Sequence, residues 1–252
     1  MDARWLVPEW PAPPNVRAVC TTREGGVSTG RYRSFNLGDH VGDEPAHVAE
    51  NRNRLRTAVG ARPVFLQQVH GTGVVALDAA QDMVRDGTAA DACTATAPGL
   101  ACTIMVADCL PVLFTDEAGH RVAAAHAGWR GLAGGVLEQT AKAFEAEGGS
   151  RVIAWLGPCI GPKAFEVGPE VKAAFEAHSP EAASCFRPAP AQGKWLADLP
   201  ALARQRLQAA GIGAAYGNDG SDPWCTVTDA SRFFSHRRDG VSGRFAALVW
   251  KV

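Results

Sequence analysis

The segment LACTIMVADCLPVLFTDEAGHRVAAAH, from Leu100 to His126, is the most informative part of the sequence about the fold class. It contains three apolar runs with strand character, Leu100–Ala107, Pro111–Thr115 and Arg121–His126, which are separated by only a few residues. A parallel crossover needs roughly a dozen residues or more, so these consecutive strands cannot form a regular βαβ repeat. We therefore predict an α+β domain with a mixed sheet, or two packed sheets, and helices outside.

The remaining predicted elements lie on both sides of this stretch. Five further apolar runs predict strands: Val16–Thr22, Val64–Val69, Val74–Leu77, Arg151–Leu156 and Arg244–Trp250. Four segments predict helices: Glu44–Val59 with Asp43 as its cap and Gly60 as its stop, a segment with Leu132, Val136, Leu137 and Phe144 at helical spacing that ends near Gly148, Val171–Ala177, and Asp198–Gly211 with Pro200 in its first turn. Arg187–Gln192 predicts a surface loop. No segment is long enough to be a domain linker, so we predict one domain over residues 1–252.

Composition and charge exclude several classes of protein. The 25 Lys and Arg residues nearly balance 26 Asp and Glu residues, and a net charge of −1 leaves no broad basic surface for nucleic acid. The most apolar stretch, Gly99–Phe114, is interrupted by Asp108 and Pro111 and is too short to span a membrane. No signal peptide is recognisable, and seven scattered cysteines without a CxxC pair predict reduced thiols in the cytoplasm.

Three potential metal ligands follow or end predicted strands. His70 ends VFLQQVH, Cys109 follows LACTIMVA, and His126 ends RVAAAH. Two imidazoles and one thiolate suit zinc, with the fourth position open to water or substrate. Because their spacing matches no short zinc motif, hydrogen-bonded surface histidines and an inert cysteine remain alternatives.

A second candidate feature is an anion site. Gly128–Gly131, which contains Arg130, lies just before the helix predicted near Leu132, where backbone N–H groups attract anions. The alternative is a tight turn with a solvated arginine. Arg23 and the segment Ser231–Arg238 are further sources of positive charge.

Most of the chain, from about Thr21 to Val249, resembles the YfiH-type family. The resemblance rests on successive blocks: TTREGGVSTGRYRSFNLGDHVGDEPAHVAENR, FLQQVHGTGV, ADACTATAPGLACTIMVADCLPVLF, AAAHAGWRGLAGGVLE, WLGPCIGPKAFEVG and DASRFFSHRRDGVSGRFAALVW. The family has been called laccase-domain protein, polyphenol oxidase and purine nucleoside phosphorylase. Its fold is a mixed four-layer α/β/β/α arrangement related to the cytotoxic necrotizing factor-like cysteine hydrolases. By motif, its zinc ligands fall on His70, Cys109 and His126.

The resemblance implies a zinc-dependent enzyme acting on purine nucleosides with phosphate. The implied reactions are phosphorolysis of adenosine, inosine and methylthioadenosine, and deamination of adenosine. Phosphorolysis needs an anion site, for which Arg130, Arg23 and Asn36 are the candidates. The HxE and PCxxC signature of zinc base deaminases is absent, so a general acid or base is sought in Asp108 or Asp91. The alternative role for either carboxylate is to orient a metal-binding side chain by a hydrogen bond.

Other functional hypotheses use the same residues. A copper polyphenol oxidase needs a His₂Cys copper centre and a separate His-rich cluster, which seven histidines without an HxH pair do not supply. One copper at the three-residue site would allow weak phenol oxidation as a side activity. A metal-free hydrolase acting on a peptidoglycan precursor or an amide would use Cys109 as nucleophile, His126 as base and His70 or Asp108 to orient it. A non-enzymatic zinc module would need a fourth protein ligand, and none is evident. We expect a monomer or a small homo-oligomer.

Overall fold

A computed structural model of the chain describes residues 2–78, 85–145 and 151–252. The strands in these residues are β1 (Val16–Cys20), β2 (Arg62–Phe65), β3 (Val74–Ala76), β4 (Ala92–Ala95), β5 (Leu100–Val106), β6 (Leu110–Asp116), β7 (Val122–Ala127), β8 (Val152–Leu156), β9 (Glu166–Val167), β10 (Phe186–Pro188), β11 (Trp195–Ala197), β12 (Ala214–Gly217) and β13 (Phe245–Lys251). The helices are α1 (Pro45–Val59), α2 (Trp129–Gly134), α3 (Val136–Lys142), α4 (Pro169–Glu176), α5 (Leu199–Ala209) and α6 (His236–Asp239).

The strands form two large sheets and one small sheet. The four-stranded sheet has the order β1-β13-β5-β2, and the six-stranded sheet has the order β12-β8-β6-β7-β4-β3. Each contains both parallel and antiparallel pairs, and β9, β10 and β11 form a separate antiparallel sheet. The predicted α+β fold with mixed sheets is confirmed.

The segment 100–126 connects the two large sheets. β5 lies in the four-stranded sheet, whereas β6 and β7 form an antiparallel pair in the six-stranded sheet. The chain crosses between them at Ala107–Cys109, where Asp108 has a φ of 102°. Because this region of φ is unfavourable for a residue with a side chain, local contacts must hold the turn.

Alternation along β13 shows how the layers pack. Phe245, Ala247 and Val249 point into a core between the two large sheets, whereas Ala246 and Leu248 point into a core that α1 covers. Such alternation follows from the pleat of a strand buried on both faces. A third core lies between the six-stranded sheet and helices α2–α5. The layer order is therefore α1, four-stranded sheet, six-stranded sheet and helices α2–α5.

Helix boundaries differ from the sequence expectations in two places. The segment expected from Leu132 towards Gly148 is two helices, because Gly135 has a φ of 101° and separates α2 from α3. Its predicted end near Gly148 lies outside the described residues. Asp43 does not cap α1 with its side chain. Its Oδ2 instead accepts hydrogen bonds from Ser28 and Asn36.

Other boundaries were predicted more closely, and some strands were missed. Asp198 caps α5 by accepting a hydrogen bond from the Ala201 N–H at 2.9 Å, as predicted. The segment Arg187–Gln192 is largely exposed, although its first two residues belong to β10. The missed strands, β4 and β9–β12, are two to four residues long and too short to show a clear alternation. No helix in the described residues is long and apolar enough to cross a membrane.

Candidate functional site

Three side chains from separate parts of the chain meet at one end of the six-stranded sheet. Cys109 lies in the turn before β6, His126 lies near the end of β7, and His70 lies in the loop after β2. Their ligand atoms are all within 4.8 Å of one another, and Cys109 Sγ is 3.8 Å from His70 Nε2. The two imidazole rings meet edge to face, with centroids 4.8 Å apart. In the described residues, this is the one group of three such side chains with the spacing of a metal site.

The carboxylate of Asp91 holds two of the three residues in place. It is fully buried and accepts a hydrogen bond from His126 Nδ1 at 2.9 Å. It also accepts the backbone N–H groups of His70 at 2.9 Å and Gly71 at 2.6 Å. These bonds stabilise the left-handed backbone of His70, whose φ is 60°. Because His126 donates through Nδ1, its Nε2 is free for a metal or for the Cys109 thiol.

A glycine allows the three side chains to approach so closely. A Cβ on Gly128 would lie 2.9 Å from His70 Cδ2 and 3.0 Å from Cys109 Sγ. Both distances are too short for any side chain at this position, so residue 128 must be glycine for the cluster to keep its geometry.

The electrostatics of the cluster favour a thiolate. Burial alone would raise the pKa of Cys109, but the positive charge of His126 and hydrogen bonds from both imidazoles lower it to about 6. Burial would lower the pKa of His126, but the Cys109 thiolate and the Asp91 hydrogen bond raise it to about 9. Burial likewise opposes the ionisation of Asp91, yet its hydrogen bonds from His126 and the backbone hold its pKa below the usual value. The deprotonated thiol is the form that binds metals and attacks electrophiles.

A cavity of about 420 Å³ opens over this cluster. Trp129, Ile160, Phe165 and Leu199 form an apolar part of its lining and belong to, or pack against, the core between the six-stranded sheet and its helices. The lining also contains four basic side chains apart from the cluster: His40, His236, Arg237 and Arg244. The cavity thus combines an apolar wall with positive charge, as expected of a pocket for a small polar ligand with an aromatic part.

Asp108 lines the cavity, but both of its oxygens already have partners. Oδ1 accepts a hydrogen bond from the Thr226 hydroxyl at 2.6 Å, and Oδ2 accepts the Arg237 N–H at 2.7 Å. These bonds fix the turn that carries Cys109 to two distant segments of the chain. The geometry suits a positioning group, and the catalytic role expected for Asp108 stays a prediction.

The arginines and the asparagine expected to bind an anion do not line the cavity. Arg130 is exposed and stacks on the Trp129 ring, with its guanidinium carbon 4.4 Å from the ring centroid. Arg23 lies in another surface pocket and donates hydrogen bonds to the carbonyls of Arg33 and Ala230. Asn36 is fully buried and therefore has no access to a ligand. Their anion-binding roles stay predictions without support from their positions.

Two arginines that sequence reasoning did not single out line the cavity instead. Arg237 belongs to SHRRDG, a segment whose sequence indicates only positive charge, and Arg244 immediately precedes β13. Burial lowers the pKa of the Arg244 guanidinium, while the negative charges of Cys109 and Asp108 act in the opposite direction. The only available signal was a charged residue at the edge of an apolar strand, which is too common to indicate a site.

Comparison with known proteins identifies relatives over almost the whole chain. The family described as "Multi-copper polyphenol oxidoreductase laccase" matches residues 17–252. A protein named purine nucleoside phosphorylase from Pseudomonas aeruginosa is 52% identical over 246 residues, covering 98% of each chain. The purine nucleoside phosphorylase YfiH of Escherichia coli is 48% identical, covering 99% of this chain and 100% of its own.

Solved structures agree with these sequence matches. The Neisseria meningitidis protein NMB0706 superimposes with a TM-score of 0.90 at 49% identity, covering 98% of this chain and 99% of that one. YlmD from Geobacillus stearothermophilus superimposes with a TM-score of 0.89 at 31% identity, covering 100% of this chain and 97% of its own. The family resemblance seen in the sequence is confirmed: the chain belongs to the laccase-like family whose members include the YfiH-type purine nucleoside phosphorylases.

Proposed function

We propose that the chain is a zinc-dependent enzyme of purine nucleosides. Its reactions would be phosphorolysis of adenosine, inosine and methylthioadenosine, and deamination of adenosine. The observation that carries the proposal is the three-residue cluster at the base of a cavity with an apolar, aromatic wall. The names of the relatives at 52% and 48% identity, both purine nucleoside phosphorylases, support a transferase with nucleoside and phosphate as substrates.

The residues present fit a zinc ion. His70, Cys109 and His126 offer two imidazole nitrogens and a sulfur whose pKa is lowered to about 6. The carboxylate behind His126 is the partner that metal-binding histidines usually have. When bound, zinc supplies a Lewis acid with a position open to water or substrate. Copper prefers the same ligands, so the donor atoms do not decide between the two metals.

The protein's own side chains would bind and orient the nucleoside. Trp129 and Phe165 present aromatic surface to the cavity, on which a purine base can stack. The apolar residues beside them exclude water from the base. The cluster of His70, Cys109 and His126 supplies polar groups within the same cavity. In phosphorolysis, an oxygen of hydrogen phosphate bonds to the anomeric carbon of the ribose as the glycosidic C–N bond breaks. The purine leaves with the electron pair and takes up the proton that hydrogen phosphate gives up.

Product analysis tests the proposal directly. Protein purified without added metal is analysed for metal content, and then incubated with adenosine or inosine with and without phosphate. We expect about one zinc per chain. Adenine or hypoxanthine should form only with phosphate, and inosine should form from adenosine. Cys109→Ser and His70→Ala should lose metal and both activities. If no product forms from any of these nucleosides in zinc-loaded protein, the proposal is wrong.

A copper-dependent polyphenol oxidase is the second candidate, and the family description favours it. The chemistry of such oxidases needs several coppers. The described residues include all seven histidines, and they contain one cluster of side chains with the spacing of a metal site, His70, Cys109 and His126. We therefore assign phenol oxidation at most to a single copper bound at this cluster. Several coppers per chain in the purified protein would reverse the order of the two candidates.

A Cys-His hydrolase acting on an amide or a peptidoglycan precursor is the third candidate. Asp91 is hydrogen-bonded to His126, and His126 interacts with the Cys109 thiol. A carboxylate that orients an imidazole, which in turn activates a thiol as nucleophile, is the arrangement such hydrolases use. The proposed relation to cytotoxic necrotizing factor-like hydrolases would belong with this candidate. Metal removal separates it from the first candidate, since a metal-free hydrolase keeps its activity in the presence of a chelator.

We also propose that the whole chain works as a single domain. The cavity is built from residues between His40 and Arg244, so no shorter segment contains the complete site. Limited proteolysis tests this proposal, since fragments that keep metal and activity would contradict it.

A further inference from the structure

Arg244 lines the cavity from a different layer of the fold than the apolar wall, whereas Arg237 lies over the Phe165 ring at 5.6 Å. The apolar wall of Trp129, Ile160, Phe165 and Leu199 belongs to the helix side of the six-stranded sheet, whereas Arg244 immediately precedes β13 of the four-stranded sheet. One carboxylate, Asp108, lines the same cavity, and it already accepts hydrogen bonds from Thr226 and the Arg237 backbone. The guanidinium of Arg244 makes no ion pair with any described residue. Arg244 therefore presents to the cavity a guanidinium without a direct carboxylate partner among the described residues, while Cys109 and Asp108 contribute negative charge nearby.

Arg244 is held rigidly by its surroundings. Its backbone N–H donates to Asn36 Oδ1 at 2.8 Å, and its Nη1 donates to the carbonyls of Ser242 at 3.0 Å and Gly243 at 3.1 Å. Its stem lies against Gly38, where a Cβ would come within 2.8 Å of Arg244 Cγ. These contacts come from both ends of the chain, and they fix the guanidinium without using all of its donors.

The unused donors lie on one edge of the guanidinium. All hydrogen bonds of this side chain within the described residues are made by Nη1, which leaves Nε and Nη2 without a partner. Nε–H and one Nη2–H point in parallel on the edge away from Nη1. This edge matches two oxygens of a phosphate or carboxylate, and the fixed side chain loses little further entropy on binding.

We propose that the Nε and Nη2 edge of Arg244 binds the inorganic phosphate that attacks the nucleoside. The inference rests on the proposed function for the identity of the anion, and it assigns phosphate and base to different parts of the cavity. Asn36, which the sequence suggested as an anion ligand, then acts through Arg244 by holding its backbone.

The test compares Arg244→Gln and Arg244→Lys in zinc-loaded protein. The KM for phosphate and the KM for inosine are measured, and phosphate binding is followed separately by broadening of its ³¹P resonance. Loss of a two-point charged hydrogen bond should raise the phosphate KM at least about tenfold in Arg244→Gln, with the inosine KM changed less than about threefold. Arg244→Lys keeps the charge but lacks the two-point geometry, so it should fall between wild type and Arg244→Gln. Arg187→Gln removes an exposed arginine outside the cavity and should match wild type.

The two readouts separate the inference from the proposed function. If wild type releases no base but Arg244→Gln abolishes the ³¹P broadening, the proposed function is wrong and the anion site stands. If wild type does not broaden the resonance, or if a folded Arg244→Gln keeps the wild-type phosphate KM and broadening, the inference is wrong. If Arg244→Gln does not fold, as judged by circular dichroism, Arg244→Lys decides. An unchanged phosphate KM in that variant would overturn the inference.

Discussion

His126 Nδ1 donates a hydrogen bond of 2.9 Å to the buried carboxylate of Asp91. The same carboxylate accepts the backbone N–H groups of His70 and Gly71, so one side chain orients one candidate ligand and shapes the loop that carries another. This arrangement explains how a loop after β2 and the end of β7 present their imidazoles to a common point. It also makes Asp91 the first residue to test.

Asp91→Asn should weaken metal binding more than it disturbs the fold. The amide has one acceptor oxygen and no charge, so zinc affinity should fall about 10- to 100-fold. The free energy of unfolding should fall by about 1–3 kcal/mol because buried N–H groups lose a partner. Competition with a zinc chelator and thermal unfolding measure the two effects.

Asp78→Asn is the matched control for this variant. Asp78 also accepts backbone N–H groups, from Thr96 and Ala97, but it does not line the cavity. It should reduce stability and leave zinc affinity unchanged. Equal zinc affinity in Asp91→Asn and wild type would contradict the role given to Asp91.

The thiol of Cys109 should react at an unusually low pH in metal-stripped protein. Its pKa is about 6, so its rate of alkylation by iodoacetamide should rise through pH 6 and level off above about pH 7 as the thiolate becomes complete. The other six cysteines are buried and should react slowly. Mass spectrometry after timed alkylation measures the rate at each pH.

His126→Ala removes the positive charge that lowers this pKa. The midpoint of alkylation should therefore move upward, towards the ordinary thiol value of 9.0. Zinc should slow alkylation of the wild-type protein, because a bound thiolate is shielded. Faster modification with metal present would contradict the assignment of Cys109 as a ligand, and an apo midpoint near 9 would contradict the lowered pKa of its thiol.

Gly128→Ala should damage the metal site with little change elsewhere. The added Cβ would lie 2.9 Å from His70 Cδ2, so the imidazole must move away from Cys109. We expect zinc affinity to fall at least about tenfold, comparable to the loss of an orienting partner. Gly213→Ala is the control, since a Cβ there meets no atom within 4 Å. Chelator competition that ranks both variants equally would show that the close approach is unimportant.

Trp129→Ala should weaken nucleoside binding and leave phosphate binding nearly unchanged. Loss of a stacking surface should raise the KM for inosine by about tenfold or more, while the phosphate KM stays within about twofold. Trp195→Ala removes a half-buried tryptophan outside the cavity and should leave both constants unchanged. An equal rise in both constants for Trp129→Ala would contradict separate places for base and phosphate.

Arg130→Gln should have only a small effect on phosphate dependence. The sequence predicts Arg130 as an anion ligand, because it follows His126 in a glycine-rich turn before a helix. In the structure it is exposed and stacks on Trp129 without lining the cavity. We expect a phosphate KM within about twofold of wild type, as for most surface substitutions. A tenfold rise would restore the site suggested by the sequence.

The fold could be predicted from the sequence where its signals are local. Closely spaced apolar runs from Leu100 to His126 exclude a βαβ repeat, and the two mixed sheets confirm this. The broken helix at Gly135 and strands of two to four residues could not be predicted, because their signals are no stronger than those of ordinary turns.

The sequence alone predicts eight of the strands, and it places His70, Cys109 and His126 at or just after predicted strands as candidate ligands. Both follow from the alternation of apolar residues over short distances, which each segment carries within itself. The orientation of His126 by Asp91 and the free guanidinium edge of Arg244 become visible only once the chain is folded. Whether a donor is free depends on partners such as Asn36 and Ser242 that lie far apart in the chain, and these meet only when the layers pack.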